Sequence, residues 1–277
     1  MLKIDSHQHF WNYTSDMDSW INDEMAVLRN DFMPEDLRPL LMQSGFDGCV
    51  AVQADQSPEE NNFLLKHAED NDFIMGVVGW VDLRAEDLSE QLSELSRHKK
   101  LKGFRHILQG EEDRALMLQP DFLRGIGELK KHGFTYDVLI YPDQLQYLLG
   151  MLKANPGQPF VLDHIAKPDI KNNSIGDWKV RLEDLKGFDN LYCKVSGMVT
   201  EADWKNWKQE DFIPYLDVIF ETFGADRVMF GSDWPVCLVA ASYAEVNTIL
   251  ETYISNLSLN EQELFWGGNA VKFYNLN

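Results

Sequence analysis

Short apolar runs alternate with longer amphipathic segments along almost the whole chain. The runs are rich in Val, Ile, Leu and Phe and have the length of buried strands, whereas the segments between them carry apolar residues at helical spacing. This alternation is typical of βα units around a parallel sheet. Eight strands are predicted, over residues 2–9, 48–54, 73–81, 101–108, 135–141, 159–164, 191–196 and 228–232.

The segments between the strands predict an outer layer of helices. Helical spacing of apolar residues covers 58–71, 87–98, 121–132, 142–155, 211–223 and 241–254. Several of these segments begin with Pro or Asp, and Gly45, Gly133 and Gly224 supply stop signals. The longest interruptions, 11–32 and 167–178, would form loops on the carboxyl face of a barrel, where substrate pockets lie.

Length and composition favour a single barrel. The chain has 277 residues, of which 44% are hydrophobic, and this length is close to the roughly 250 residues of a typical (β/α)8 barrel. No change of composition marks a linker, and no low-complexity tract or longer repeat divides the chain. We therefore expect an α/β protein with one (β/α)8 TIM-like barrel domain over residues 1–277.

Charge and cysteine usage argue against several classes of partner and site. A formal net charge of −20 would repel nucleic acids and anionic membranes at long range. No signal-like segment opens the chain and no stretch of about 18 apolar residues occurs, so we expect a cytoplasmic protein without a membrane partner. Three widely spaced cysteines predict neither a disulfide framework nor a CxxC metal site. Association into an oligomer stays open.

Two histidines end the first predicted strand. Because side chains alternate along a strand, His7 and His9 share a face with Gln8 opposite, and both imidazoles can point into the barrel mouth. Such a pair suits a divalent metal such as zinc, or two hydrogen-bond donors aimed at one carbonyl oxygen. Two unrelated histidines at a strand end are the alternative, and the spacing alone does not decide between them.

The last predicted strand delivers an acid to the same end of the barrel. Asp233 follows the apolar run that begins at Val228. An ionised carboxylate there can bind a metal and take a proton from water, although a turn-forming Asp before Trp-Pro is the alternative. Since closure of a barrel joins the first and eighth strands, we expect His7, His9 and Asp233 to be neighbours in space.

Arg105 and His106 end the fourth predicted strand and are candidates for substrate binding. Strand alternation sends only one of them fully inward unless a bulge intervenes. We favour Arg105 as the contact to a substrate oxygen or carboxylate, because the guanidinium is a planar fork of donors. His106 remains a second candidate at the same strand end.

Four more residues close to predicted strand ends are candidates for substrate contact, namely Gln53, Trp80, Lys194 and Trp234. Gln53 and Lys194 could add polar contacts, and the two tryptophans could form the floor of a pocket for a sugar ring. Packing inside the protein is an equal alternative for each of them. Lys194 shares a strand face with Ser196, so the two side chains point inward together or outward together.

Five segments, read in order, make the chain resemble a known family. They are IDSHQHFW at the start, GFRHILQ at the fourth strand, VLDHIAKP at the sixth, FGSDWPV at the eighth and GGNAVKFYNL near the end. Together they resemble the amidohydrolase superfamily and, within it, the amidohydrolase-2 branch of sugar-lactone lactonases, which includes L-fuconolactonase, L-rhamnonolactonase and pyrone-dicarboxylate lactonase-like enzymes. The resemblance covers essentially the whole chain.

The resemblance implies roles for four residues. His7 and His9 match the pair of histidines on the first strand, and Asp233 matches the acid on the eighth strand. His164 matches the histidine on the sixth strand. Without the resemblance, a lone histidine at this position would be interpreted as a core residue. Many superfamily members hold two metals bridged by a carboxylated lysine on the fifth strand, but residues 135–141 contain no lysine. A binuclear site is therefore not expected. The resembled branch works with one weakly held metal, with zinc the first choice, or with none, and the histidines would then act as hydrogen-bond donors.

A lactone-opening hydrolase with a small-molecule substrate is the function that these roles imply. Asp233 would deprotonate a water molecule that attacks the lactone carbonyl, which the three histidines would polarise directly or through one metal. The alternatives are a related barrel amidohydrolase or decarboxylase acting on a small carboxylated substrate, and a non-catalytic small-molecule-binding barrel. No GxSxG, P-loop or strand-linked GxGxxG motif occurs, so no nucleotide cofactor is expected.

Overall fold

The chain folds around a single eight-stranded sheet. The computed structural model describes residues 1–14 and 20–276. Within these ranges the strands follow one another in chain order, and each neighbouring pair is parallel. All eight predicted strands are confirmed. They are β1 (Ile4–Gln8), β2 (Gly48–Val52), β3 (Ile74–Gly79), β4 (Leu101–His106), β5 (Thr135–Val138), β6 (Phe160–Leu162), β7 (Leu191–Val195) and β8 (Val228–Phe230).

The sheet closes where the chain beyond β8 meets β1. Gln8 forms a parallel bridge with Trp234, and the His9 amide donates to the Trp234 carbonyl at 2.7 Å. The Asp233 amide donates to the His7 carbonyl at 2.8 Å. These contacts complete the predicted (β/α)8 barrel and set Asp233 directly beside the two histidines of the first strand.

Helices surround the barrel and confirm the six predicted segments, with ends shifted by a few residues. They are α1 (Pro34–Gln43), α2 (Pro58–Asp70), α3 (Leu88–Leu95), α4 (Pro120–Lys131), α5 (Leu145–Ala154), α6 (Gly176–Glu183), α7 (Gln209–Phe223), α8 (Tyr243–Ile254), α9 (Leu259–Glu263) and α10 (Asn269–Tyr274). The helix α6 occupies the end of the predicted loop over 167–178. Across the described ranges, none of the helices combines the length and apolar character needed to cross a bilayer.

The interior of the barrel has an apolar layer and a polar layer. The apolar layer contains strand residues such as Ile4, Val52 and Val161, and α10 packs against it with Phe273 and Tyr274. Nearer the carboxyl ends of the strands, inward positions carry buried charged groups instead of apolar ones. The apolar layer therefore supports the fold, and the polar layer above it is the region in which a site can form.

The strand β6 ends earlier than predicted because the backbone after it adopts a left-handed conformation. The prediction extended to His164, but the strand ends at Leu162, and His164 to Lys167 all have φ between 49° and 59°. A left-handed backbone turns away from the sheet, so the ladder of hydrogen bonds cannot continue. The Trp178 indole donates to the Ile165 carbonyl at 2.8 Å and holds this turn.

The predicted loop over 11–32 lies partly outside the described residues, because 15–19 are not among them. Its described parts include a bridge between Trp11 and Phe32 and a 3-10 turn over Asp23–Leu28. The two ends of the loop are thus tied together beside β1.

Candidate active site

Four polar side chains from three strand ends meet in the barrel mouth. His7 belongs to β1, His9 follows it, His164 lies in the turn after β6, and Asp233 lies in the loop after β8. Asp233 Oδ1 is 4.0 Å from His7 Nε2, 3.4 Å from His9 Nε2 and 3.9 Å from His164 Nε2. All four side chains are buried. We refer to these four residues, which the sequence predicts to be catalytic, as the catalytic cluster.

The loop that carries Asp233 is anchored by a buried acid, Asp5. Its carboxylate accepts hydrogen bonds from the His7 amide at 3.2 Å, the Ser232 amide at 3.0 Å and the Tyr243 hydroxyl at 3.2 Å. Burial raises the pKa of Asp5 to about 6 in spite of these bonds. Asp5 was not a candidate from the sequence, although it begins the DSHQH segment.

Hydrogen bonds to one ring nitrogen orient the other nitrogen in two of the histidines. His9 Nδ1 lies 2.8 Å from the Val52 carbonyl and must donate to it, so Nε2 faces Asp233. His164 Nδ1 lies 2.9 Å from the Ser196 hydroxyl, which likewise turns Nε2 towards Asp233. Burial lowers the pKa of His164 well below its usual value, and the nearby carboxylate of Asp233 offsets only part of this effect.

Asp233 is held in its ionised form. Burial alone would raise its pKa, but the interaction with His164, the hydrogen bond to His9 and the charge of Lys167 bring the pKa below its ordinary value. Its backbone has φ of 58°, a conformation that a non-glycine residue seldom adopts and that is concentrated at functional sites. An ionised carboxylate in this position can accept a proton from water.

Buried charges lie against both ring nitrogens of His7. Lys194 Nζ is 2.5 Å from Asp137 Oδ2, 3.2 Å from Asp163 Oδ1 and 3.1 Å from His7 Nδ1. Arg105 Nη1 is 3.2 Å from both Asp163 Oδ2 and His7 Nε2. Burial alone would raise the pKa of Asp163, but the surrounding cations and His7 lower it well below its usual value. These contacts fix the His7 ring.

Arg105 points inward, but its donors face protein groups. Its Nη2 donates to the Gln53 carbonyl and, at 3.0 Å, to Gln53 Oε1. Gln53 Nε2 donates in return to the Arg105 carbonyl at 3.2 Å. The predicted fork of donors is therefore directed at Gln53, Asp163 and His7, and only 4% of the residue is exposed. Gln53 likewise lies in the site as a partner of Arg105.

His106 points to the other side of its strand, as alternation requires. Its Nδ1 accepts from the Trp80 indole at 3.4 Å, its Nε2 lies 2.7 Å from Glu111 Oε1, and its ring meets Phe122 of α4 edge-on. Trp80 and His106 thus form a pair outside the catalytic cluster. The structure does not bring these two candidates together with Asp233.

The remaining two candidates, Trp234 and Lys194, lie in different surroundings. Trp234 is 2% exposed and packs its ring against Phe10 and Phe32, which is the packing alternative left open by the sequence. Lys194 and Ser196 both point inward, and each contacts a histidine of the catalytic cluster.

Sequence reasoning missed Asp137 and Asp163, the two acids that hold Lys194. Strict alternation would place Asp163 and His164 on opposite strand faces, so the pattern gives no reason to expect Asp163 in the mouth beside His164. The left-handed turn brings both into the site. For Asp137 the available signal was an acid in the middle of an otherwise apolar strand, which needs a buried partner.

The catalytic cluster has a donor set that fits one divalent metal ion. His7, His164 and Asp233 each offer one ligand atom, and these atoms lie within 4.8 Å of one another. Ligand atoms bound to zinc at about 2.0–2.2 Å in a tetrahedron are roughly 3.3 Å apart, somewhat less than the 4.0 and 3.9 Å that separate Asp233 Oδ1 from the ring nitrogens of His7 and His164. His9 Nε2 lies beside this set, 3.4 Å from Asp233 Oδ1. Arg105 already donates towards His7 Nε2, so this ligand atom also has a partner in the protein.

Comparison with known proteins gives matches over the full length of the chain. A family model described as Amidohydrolase matches residues 4–276. A relative from Burkholderia multivorans named L-fucono-1,5-lactonase is 41% identical over 99% of this chain and 96% of its own length. A relative of the same name from Burkholderia ambifaria is 33% identical over 100% of this chain and 96% of its own length.

A solved structure of a relative has nearly the same fold as this chain. The crystal structure of an amidohydrolase from Burkholderia multivorans with bound zinc is 41% identical in sequence. It superposes with a TM-score of 0.97 over 100% of both chains. A divalent metal is therefore found in a protein with almost the same backbone.

Proposed function

Because this chain belongs to the amidohydrolase family, we propose that it is a lactonase that hydrolyses the ring ester of a sugar-acid lactone. The family resemblance predicted from the sequence motifs is confirmed, and two relatives at 41% and 33% identity are named L-fucono-1,5-lactonase. We take L-fucono-1,5-lactone, or a lactone closely related to it, as the substrate. The observation that carries the proposal is an ionised Asp233 surrounded by three imidazoles in the barrel mouth.

Asp233 acts first as a general base. Its carboxylate accepts a proton from a water molecule, and the water oxygen forms a bond to the lactone carbonyl carbon. The ring C–O bond then breaks, and the protonated carboxyl of Asp233 returns its proton to the departing ring oxygen. The product is an open-chain hydroxy acid, and Asp233 is regenerated as a carboxylate.

The histidines stabilise the charge that develops on the carbonyl oxygen. His164 can donate from Nε2 to the oxyanion that forms beside Asp233, because its Nδ1 can accept from the Ser196 hydroxyl. His7 and His9 direct ring nitrogens to the same space and would act on this oxygen through a bound metal ion. We propose at most one divalent ion per chain, zinc being the best match to this donor set, held by His7, His164 and Asp233. Such an ion would supply Lewis-acid polarisation of the carbonyl when bound.

A substrate panel tests this function. The purified protein is incubated with L-fucono-1,5-lactone, L-rhamnonolactone, a small amide and an aromatic carboxylate, and acid release at neutral pH is followed with an indicator. We expect kcat/KM of about 10⁴ M⁻¹s⁻¹ or more for a sugar lactone. Release of ammonia or carbon dioxide without lactone hydrolysis would contradict the proposal, as would saturable binding of lactones without turnover.

A further inference from the structure

A second polar pair stands beside the catalytic cluster and takes no part in the steps above. Lys167 ends the left-handed turn after β6, and Glu201 ends the 3-10 turn Val199–Glu201 after β7. Lys167 Nζ lies 3.5 Å from Glu201 Oε1, and the side chains are 16% and 21% exposed. The pair is therefore neither in the buried floor of the barrel nor on the open surface.

The two residues are fixed relative to the reaction centre. The Lys167 amide donates to the His164 carbonyl at 2.8 Å, and the Glu201 carbonyl accepts from the Lys171 amide at 2.9 Å. Their charges also act on the catalytic cluster, since Lys167 lowers the pKa of Asp233. Burial is the main cause that raises the pKa of Glu201, and the charge of Asp233 raises it further.

An aromatic wall lies next to the pair. Lys167 Nζ is 5.7 Å from the centre of the Tyr141 ring, which is 38% exposed although it follows a buried strand. Arg114 lies 5.9 Å from the centre of the same ring and is itself held by Asp143 at 2.8 and 2.9 Å. An aromatic face beside a charged donor and a charged acceptor suits a ring that is apolar on its faces and hydroxylated at its edge.

We propose that Lys167 and Glu201 form the subsite that binds neighbouring ring hydroxyl groups of the lactone. This inference rests on the proposed lactonase function. A hydroxyl group both donates and accepts, so one can accept from the ammonium of Lys167 while the next donates to the carboxylate of Glu201. At 3.5 Å the pair is wider than a tight charged hydrogen bond of about 2.7–2.9 Å, so both groups retain capacity for a ligand.

The opposite charges of the pair favour a neutral polyol over an anionic group. A lysine alone would suit a substrate carboxylate or phosphate, but Glu201 beside it would repel either one. A site that hydrogen-bonds a substrate hydroxyl discriminates against an analogue that lacks it, because the hydrogen bonds to that hydroxyl are then lost. The pair is therefore expected to distinguish a sugar lactone from an unsubstituted lactone of the same ring size.

The test compares K167M and E201Q with the wild type on two substrates. One is L-fucono-1,5-lactone, and the other is δ-valerolactone, which has the same ring size but no hydroxyl groups. We expect the ratio of the two kcat/KM values to fall by about tenfold or more in each variant, with KM for the hydroxylated lactone rising more than its kcat falls. In the double variant the two losses should be less than additive, because the residues bind one ligand together.

A matched control and two opposite outcomes complete the experiment. K131M removes a lysine from a surface pair with Glu128 at 2.6 Å and should leave the ratio unchanged. Equal losses on both lactones in K167M and in the isosteric E201Q would overturn the subsite, because the pair would then act only on the charge of Asp233. No lactone hydrolysis by the wild type would instead contradict the proposed function, and this inference with it.

Discussion

At the scale of single residues, the site is a set of buried charges that hold one another in place. Lys194 is fully buried, and its ammonium contacts two carboxylates and one imidazole. A buried ion pair adds little net stability compared with apolar residues, but removal of one partner leaves an uncompensated charge. The network therefore makes the position of His7 dependent on every member.

Removal of the Lys194 ammonium should destabilise the protein strongly. We expect K194M to lower the free energy of unfolding by about 3–5 kcal/mol, because Asp137 and Asp163 both lose a buried partner. The double variant K194M/D137N should recover part of this loss, since it removes the carboxylate that lies 2.5 Å from Lys194, whereas Asp163 keeps its contact with Arg105. Urea denaturation followed by circular dichroism measures both effects, and a loss under 1 kcal/mol in K194M would contradict this description of the network.

Glu60 should make stability depend on pH. It begins α2 buried, accepts from the Ala54 amide at 2.7 Å, and burial raises its pKa from the usual value to about 7. Between about pH 4.5 and 7 the folded state binds more protons at this site than the unfolded state, so its contribution to stability falls as pH rises.

The variant E60Q should remove this pH-dependent contribution. The stability of E60Q relative to the wild type is expected to rise between pH 4.5 and 8 by an amount on the order of 3 kcal/mol. E59Q changes the exposed neighbour on the same helical turn and should follow the wild-type curve. Parallel curves for E60Q and the wild type in urea denaturation would show that Glu60 does not titrate in this range.

Sequence patterns could predict some of these residues and not others. The positions of His7 and Asp233 in the site could be predicted, because two general rules place them together. These rules are the alternation of side chains along a strand and the closure of a barrel. The positions of Asp163 and Lys167 could not be predicted, because their side chains enter the site through a left-handed turn. Such a turn is seldom adopted by non-glycine residues, and no local sequence signal marks it here.

At the scale of elements, the turn after β6 depends on a glycine after β7. Gly197 has φ of 62°, and an added Cβ would lie 2.6 Å from His164 Nδ1. Gly45 has φ of 72°, but a Cβ there would meet nothing within 4 Å. Both positions would strain any other residue, and only Gly197 also leaves space for the side chain of His164.

These two glycines provide a matched pair of variants. G197A and G45A should each lose about 1–2 kcal/mol of stability through left-handed strain. Only G197A should lose activity, by about 100-fold in kcat/KM, because His164 must move. The assay on the lactone hydrolysed by the wild type separates the two effects, and equal activity of G197A and G45A would show that His164 is not needed in its present position.

The sequence pattern predicted the presence of each strand correctly and the residues at which the strands end less accurately. Apolar runs identify a strand wherever it is buried, so all eight were found. Their ends depend on backbone conformation. The strand β6 stops at Leu162, where the apolar run also ends, and the predicted extension to His164 is wrong because these residues lead into the left-handed turn. The ends also mark where the polar side chains of the site begin.

At the scale of the whole molecule, two fixed cations limit how many metal ions the barrel can hold. Arg105 Nη1 and Lys194 Nζ lie 3.2 and 3.1 Å from the two ring nitrogens of His7, where a second divalent ion would be repelled at short range. We expect at most one zinc per chain after dialysis against zinc, measured by inductively coupled plasma mass spectrometry. H164N should lower this content, whereas two equivalents in the wild type would contradict the proposed arrangement.

The most direct test of the central claim is the rate of L-fucono-1,5-lactone hydrolysis by D233N and by the wild type, with circular dichroism to verify the fold. The amide of Asn cannot accept a proton from water, so kcat should fall by about 10²–10⁴-fold while the melting temperature changes little. Near-wild-type turnover by a folded D233N variant would contradict the assignment of Asp233 as the general base.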